Sequence, residues 1–199
     1  MTLDLLDWRR TVAELYHAVR ADADADPEGA LARFRAGRDR LFAEHPQSPL
    51  PASARPGFEG LRYWPRDPAL RFEAEVEAAE PWRLEATSLS GEAFALERIG
   101  IVRLPPGTLE VYWIDSYGGG VFVPFRDATS GSATYGAGRY LIDTAKGADL
   151  GGTGSSLVLD FNYAYHPSCA HDPRWSCPLA PRANWLTVPV EAGERLRQG

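Results

Sequence analysis

The side chains best suited to binding or catalysis are concentrated in the C-terminal part of this 199-residue chain. Asp160 and Asn162 lie at the end of the apolar run 157–159, where the alternation of a strand places both on one face. Polar groups that converge at one end of an apolar body are typical of a ligand pocket. We therefore predict a polar ligand site formed by Arg139, Tyr140, Asp160, Asn162, Tyr165, His166, Asn184 and Glu194.

The same residues also have a structural interpretation. Asp160 and Asn162 can instead hydrogen-bond loop backbone and organise the long connection that follows, because buried polar groups need partners. Arg139 follows the glycine-rich turn 135–138, so it is either a clamp for a ligand carboxylate or the partner of Asp127 or Asp160 in an ion pair. The sequence leaves these alternatives open.

A second cluster has the pattern His-x2-Cys-x-His-x5-Cys and consists of His166, Cys169, His171 and Cys177. Two thiolates and two imidazoles can hold zinc, but this spacing differs from the usual paired zinc motifs. A disulfide between the two cysteines would stabilise the fold by roughly 2–3 kcal/mol if unstrained. We favour packed free thiols over the disulfide and the disulfide over zinc, and we favour no cofactor.

The elements that must position these residues begin with two helices. Apolar residues at helical spacing predict a first helix over about residues 3–22. Asp26 can cap free N–H groups and Pro27 needs no donor in a first turn, so this pair is typical of a helix start. The apolar residues from Leu31 to Phe42 indicate a second helix that ends near His45.

After Gly60 the pattern changes to the period of a half-buried strand. Apolar and charged residues alternate over 70–78, and similar segments follow at 82–89, 94–99, 101–104, 109–115, 121–125, 140–143, 157–163 and 185–190. Short strands with short turns favour antiparallel pairing. We predict a mainly β (α+β) fold, an antiparallel β-sandwich or barrel preceded by two N-terminal helices. Residues 1–199 then form a single domain, with a helical segment over 1–45 and a β body over 60–195.

The composition limits the classes of partner that we expect this protein to bind. With 27 acidic and 21 basic residues the net charge is −6, and no basic block forms, so we expect no binding to nucleic acid. No apolar run reaches 18 residues, which predicts no membrane partner. The N-terminal residues mix acids with apolar side chains and lack the basic region of a signal peptide, so we expect a cytoplasmic location. The oligomeric state is left open.

Several ordered motifs carry a family resemblance. They are DATSG at 127–131, TYGAGRYL at 134–141, LDFNYAYHPSCA at 159–170, CPLAP at 177–181 and EAGE at 191–194. Over about residues 125–195 the chain resembles the bacterial and archaeal family known as domain of unknown function 1684. The resemblance implies a stand-alone protein with no established reaction, so it supplies no mechanism. The usual Tyr-Asn-Pro of that family is Tyr165-His166-Pro167 here, and its double proline is Ala180-Pro181.

Three functional hypotheses follow from these patterns. The first is a protein that binds a small molecule in the polar pocket of the β body, with the 169–177 segment as a lid. The second is an enzyme that uses the same residues for acid–base chemistry, or Cys169 as a nucleophile with His166 or His171 as its base. The thiol version predicts a depressed pKa for Cys169. The third is a structural or partner-binding module.

Overall fold

Two helices precede the strands, as the sequence predicts, in a computed structural model that describes residues 3–87 and 93–197. The helices are α1 (Asp4–Asp22) and α2 (Pro27–Glu44). The strands are β1 (Arg62–Tyr63), β2 (Arg71–Glu75), β3 (Trp82–Thr87), β4 (Ala93–Leu104), β5 (Gly107–Asp115), β6 (Gly120–Phe125), β7 (Arg139–Asp143), β8 (Ser156–Asp160) and β9 (Glu194–Arg195).

The start of α2 confirms the predicted cap. Asp26 Oδ1 accepts a hydrogen bond of 3.0 Å from the Gly29 N–H, and Pro27 occupies the first turn. The apolar faces of both helices then pack on the β body, where Tyr16 and Phe34 meet Tyr163 in a buried cluster. The rings of Phe34 and Tyr163 lie edge to face at 4.9 Å.

The main sheet has the strand order β3-β4-β5-β6-β7, and all four pairings are antiparallel. The predicted segments 94–99 and 101–104 are one strand, β4, which carries an irregularity between Arg98 and Gly100. Gly100 is required there, because a Cβ atom would lie 2.6 Å from the Glu77 carbonyl oxygen of the crossing chain.

Both faces of this sheet are covered. One face packs against the β2–β8 pair and the C-terminal segment, and its buried residues include Val102, Val111, Val123, Leu141, Leu159, Phe161 and Val190. The opposite face, with Leu96, Tyr112, Phe122 and Tyr140, packs against Cys169 and Cys177. The architecture is therefore sandwich-like, and no sheet closes into a barrel within the described ranges.

Two predicted strands need correction. The segment 157–163 leaves the sheet after Asp160 and continues as a 3-10 turn over Phe161–Tyr163, because the Asp160 carboxylate accepts the Asn162 N–H at 2.9 Å. The segment 185–190 is irregular apart from a bridge between Trp185 and Arg126. The end of the predicted strand 82–89 falls outside the described residues.

No helix in the part of the chain that the structure describes is both long and apolar enough to cross a membrane. The single domain over 1–199 stays a prediction.

Candidate functional site

The most unusual polar group in the protein is the carboxylate of Glu194, which is only 1% exposed. It lies on β9, which pairs with β1 so that Glu194 stands opposite Tyr63. Arg38 of α2 donates to its Oε2 at 2.8 Å, and the His166 backbone N–H donates to the same oxygen at 3.2 Å. The N-terminal helices and the C-terminal strand thus meet at one buried ion pair.

Charge compensation keeps this carboxylate ionised. Burial raises the pKa of Glu194, but the facing His166 and Arg38 outweigh that effect and hold its pKa well below the usual range. The Arg38 guanidinium is enclosed by aromatic rings, with its central carbon 5.0 Å from the Tyr165 ring and 5.3 Å from the Phe42 ring.

The hydrogen bonds of His166 assign its tautomer. Its Nε2 accepts the Tyr135 N–H at 3.2 Å, so this nitrogen carries no proton. The proton therefore lies on Nδ1, which donates to Glu194 Oε1 at 3.2 Å. His166 is therefore a fixed donor to the carboxylate.

His171 lies beside the same carboxylate. Its Nε2 lies 3.4 Å from Glu194 Oε1 but makes no aligned hydrogen bond with any described residue. Its ring packs edge to face on Phe42 at 4.9 Å. His171 is held in place by packing and retains hydrogen-bonding capacity.

A cavity of about 240 Å³ opens beside this cluster. His166, His171 and Glu194 form its polar side, and Arg62, Arg195 and Arg197 belong to its wall. The rest of the wall is mainly apolar and includes Leu50, Phe58, Leu61 and Leu196. We call this space the Glu194 cavity.

His166, His171 and Glu194 also form the one group among the described residues whose ligand atoms lie close enough, within 4.8 Å, to hold a metal ion. The tautomer of His166 does not suit that role, since the nitrogen that faces Glu194 carries a proton. The Arg38 guanidinium already occupies Oε2 of the carboxylate. The arrangement therefore favours a hydrogen-bonded cluster rather than a metal centre.

Comparison with known proteins assigns the chain to a family. The family described as "Protein of unknown function (DUF1684)" matches residues 56–195, which include His166, His171 and Glu194. The chain belongs to the DUF1684 family. A solution NMR structure of a similar protein, the uncharacterized protein from gene locus rrnAC0354 of Haloarcula marismortui, shares 36% sequence identity over 86% of this chain and 95% of that chain, with a TM-score of 0.58. No curated protein matches.

Arg139 of this DUF1684 protein lies inside the fold rather than in the cavity. It is 1% exposed and donates to the backbone carbonyls of Val190, Ala192 and Glu194, with a distance of 2.8 Å to Val190. Asp127 lies 3.5 Å from its guanidinium, which is one of the two ion pairs that the sequence left open. Arg139 thus binds the backbone at and just before β9 from the interior of the protein.

Asn162 and Asn184 also bond to backbone. The Asn162 side chain exchanges two hydrogen bonds of 2.8 Å with the Asp67 backbone and a third with Asp160. Asn184 accepts the Glu110 N–H and donates to the carbonyls of Glu110 and Pro124 at 2.7–2.9 Å. The contacts of Asn162 match its structural interpretation, and Asn184, which was predicted only as a pocket residue, bonds to backbone in the same way. Asp160 also lines a different cavity of about 330 Å³ beside α1.

The remaining candidates fall into two places. The Tyr165 ring packs against the Arg38 guanidinium. The Tyr140 hydroxyl instead donates to the Pro178 carbonyl at 2.6 Å. The four zinc candidates do not form one group, since the histidines face Glu194 and the two thiols contact each other.

Arg38 belongs to the cluster around Glu194 but is not among the residues predicted from the sequence. It follows Leu31 by seven residues and so lies on the apolar stripe of α2, where an arginine is out of place without a buried partner. An arginine on the apolar stripe of a helix therefore indicates a buried ion pair.

Proposed function

We propose that this protein binds a small organic anion in the Glu194 cavity. The supporting observation is a cavity whose polar side is a buried, charge-compensated carboxylate with two histidines and whose wall carries three arginines. Buried ionic groups cost free energy unless they are paired, and they concentrate at functional sites. The cavity is smaller than the ~300–1,000 Å³ typical of drug-sized ligands, which favours a small metabolite.

The arginines suggest the charge of the ligand. Arg62 and Arg197 share Glu59, at 3.2 and 3.3 Å. Arg195 makes no ion pair with any acidic group that the structure describes, and its buried Nε has no hydrogen-bond partner there. A carboxylate or phosphate would supply the missing negative charge.

The apolar wall suggests the rest of the ligand. Phe58 and Leu61 also line the cavity, so an apolar portion of the ligand would be buried against them. Because Arg38 neutralises Glu194, the carboxylate does not repel an anion held by the wall arginines.

Calorimetric titration with a panel of small carboxylates and phosphates, benzoate among them, tests the proposal. We expect at least one member to bind the wild-type protein and to shift the NMR signals of His171. Arg195→Gln should weaken that binding about tenfold or more, because a charged hydrogen bond contributes ~1.5–3 kcal/mol. Arg103→Gln is the matched control, since Arg103 is exposed and pairs with Glu77 outside the cavity. Failure of the whole panel to bind would contradict the proposal.

A second candidate is an acid–base enzyme that acts on the same ligand. His171 lines the cavity, stands 3.4 Å from a buried carboxylate and retains hydrogen-bonding capacity, so it could exchange a proton with a bound ligand. In that case His171→Gln would abolish turnover of the bound anion while its affinity changes little. The Cys169 nucleophile is less well supported, because the contact with Cys177 raises rather than lowers the pKa of Cys169.

A further inference from the structure

Cys177 lines a further cavity, which shares no wall residue with the Glu194 cavity. Its volume is about 240 Å³, and Cys177 lines it together with Trp8 of α1, Trp175 and Ser168. Although Cys177 is only 1% exposed overall, a small molecule in this cavity would contact it. Cys177 therefore borders a cavity, whereas a cysteine packed wholly within a core contacts only other side chains.

The contacts of Cys177 identify it as the acceptor of the pair. The Cys169 backbone N–H donates to its Sγ at 3.3 Å. The hydrogen bond from the Cys169 thiol is the largest contribution that lowers the pKa of Cys177 to about 6. The same bond raises the pKa of Cys169, which therefore stays protonated.

Basic residues surround the cavity. Lys146 and Arg9 both line it, and Lys146 further favours the thiolate form of Cys177. Asp143 lies 3.8 Å from the Lys146 ammonium and offsets part of that charge. A thiolate with donors around it and a protonated thiol beside it is the arrangement of a reactive dithiol.

We propose that Cys177 and Cys169 form a redox-active dithiol that reacts with a small hydroperoxide entering this cavity. This proposal does not depend on the anion site. The cavity has a volume of about 240 Å³, so it admits hydrogen peroxide or a short alkyl hydroperoxide rather than a large oxidant.

The reaction has two steps. The Cys177 thiolate attacks the hydroxyl-bearing oxygen of the hydroperoxide and the O–O bond breaks, which leaves Cys177 as a sulfenic acid. The leaving alkoxide or hydroxide takes a proton from water, and the hydroxide formed passes to the solvent. The Cys169 thiol then attacks the Cys177 sulfur, the S–O bond breaks, and the hydroxyl group leaves as water with the Cys169 proton. Two thiols are oxidised to a disulfide while the peroxide is reduced to water, or to alcohol and water.

Peptide-resolved mass spectrometry tests the proposal on the full chain. Protein reduced and freed of reductant is exposed to hydrogen peroxide near neutral pH, unfolded, and treated with N-ethylmaleimide to count the remaining thiols. We expect both thiols to be lost with a mass decrease of two hydrogens, and a dithiol to restore them. In Cys169→Ala the reaction should stop at a sulfenic acid on Cys177, which dimedone traps.

Cys177→Ala is the matched control, since it removes the other sulfur of the same buried pair. Its Cys169 should be oxidised at least tenfold more slowly than the wild-type pair. In the wild-type protein, whose folding is not in question, iodoacetamide labelling of Cys177 should be nearly independent of pH between about pH 7 and 9. Two intact thiols after peroxide treatment that oxidises free cysteine, or dimedone on Cys169 instead of Cys177, would overturn the proposal.

Discussion

At the scale of single residues, the ion pair between Arg38 and Glu194 costs desolvation free energy and constrains how two elements pack. Both side chains are withdrawn from water, at 9% and 1% exposure, so each depends on the other for compensation. A buried pair contributes little net stability, but the loss of one partner leaves an uncompensated charge. The pair thus fixes how α2 meets β9 and shapes the Glu194 cavity.

Glu194→Gln should therefore destabilise the protein strongly. Removal of the negative charge leaves the Arg38 guanidinium buried without a counter-charge, and we expect a loss of about 3–5 kcal/mol in the free energy of unfolding. Urea titration at neutral pH measures this loss. Glu191→Gln, an exposed neighbour, should change the free energy of unfolding by no more than about 0.5 kcal/mol.

The same variant should respond differently to acid. The folded pKa of Glu194 lies well below its unfolded value of about 4.3, so its ionisation stabilises the fold above that pH, and this stabilisation is lost as the pH falls toward the folded pKa. Wild-type stability should then decrease more steeply below about pH 4.3 than that of Glu194→Gln. Parallel curves for the two proteins would show that folding does not lower the pKa of Glu194.

At the scale of elements, Asn184 joins the irregular C-terminal segment to the main sheet. Its side chain bonds to β5 at Glu110 and to β6 at Pro124, and no part of it reaches solvent. The predicted strand 185–190 is absent because this amide and Asp127, which accepts the Val190 N–H at 2.7 Å, satisfy backbone groups that a strand would pair. In this segment, hydrogen bonds from side chains take the place of the backbone hydrogen bonds between two strands.

Asn184→Ala should test that role. The change leaves buried backbone groups of Glu110 and Pro124 without partners, and we expect a cost of about 3 kcal/mol in the free energy of unfolding. Affinity for the anion, measured on the folded fraction, should not change. Thr187→Ala is the control, since Thr187 is exposed in the same segment and should give a near-neutral result. A variant that loses ligand affinity at full stability would place Asn184 in the binding site instead.

At the scale of the whole molecule, the helices and the β body share their interior. Tyr16 and Phe34 pack on Tyr163, and Arg38 reaches Glu194 across 156 positions of sequence. Neither α1 nor α2 buries its apolar face without the β body. We therefore expect the helices and the β body to unfold as one cooperative unit.

Coincident unfolding would test that prediction. In Trp8→Phe, every remaining tryptophan lies after residue 63, so fluorescence reports the β body, while far-UV circular dichroism is dominated by α1 and α2. We expect the two urea transitions to coincide, as for a two-state domain. A separate, earlier loss of the circular dichroism signal would divide the chain into two units.

The sequence alone determined the two helices and most of the strands, because their periodicity and caps are local properties. Asp26 and Pro27 mark the start of α2, and alternation marks β2, β5 and β6. The motifs around His166 and Glu194 also carried the family, which the match over 56–195 confirms. Local patterns sufficed wherever neighbours in sequence decide the conformation.

Only the tertiary structure decided what each polar residue faces. Arg139, Asn162 and Asn184 looked like pocket residues, but the fold turns them toward backbone carbonyls and amides. Glu194 instead meets Arg38, which comes from a helix at the other end of the chain. The physical reason is that a polar side chain in an apolar environment must find a partner, and which partner lies within reach depends on long-range packing rather than on sequence spacing.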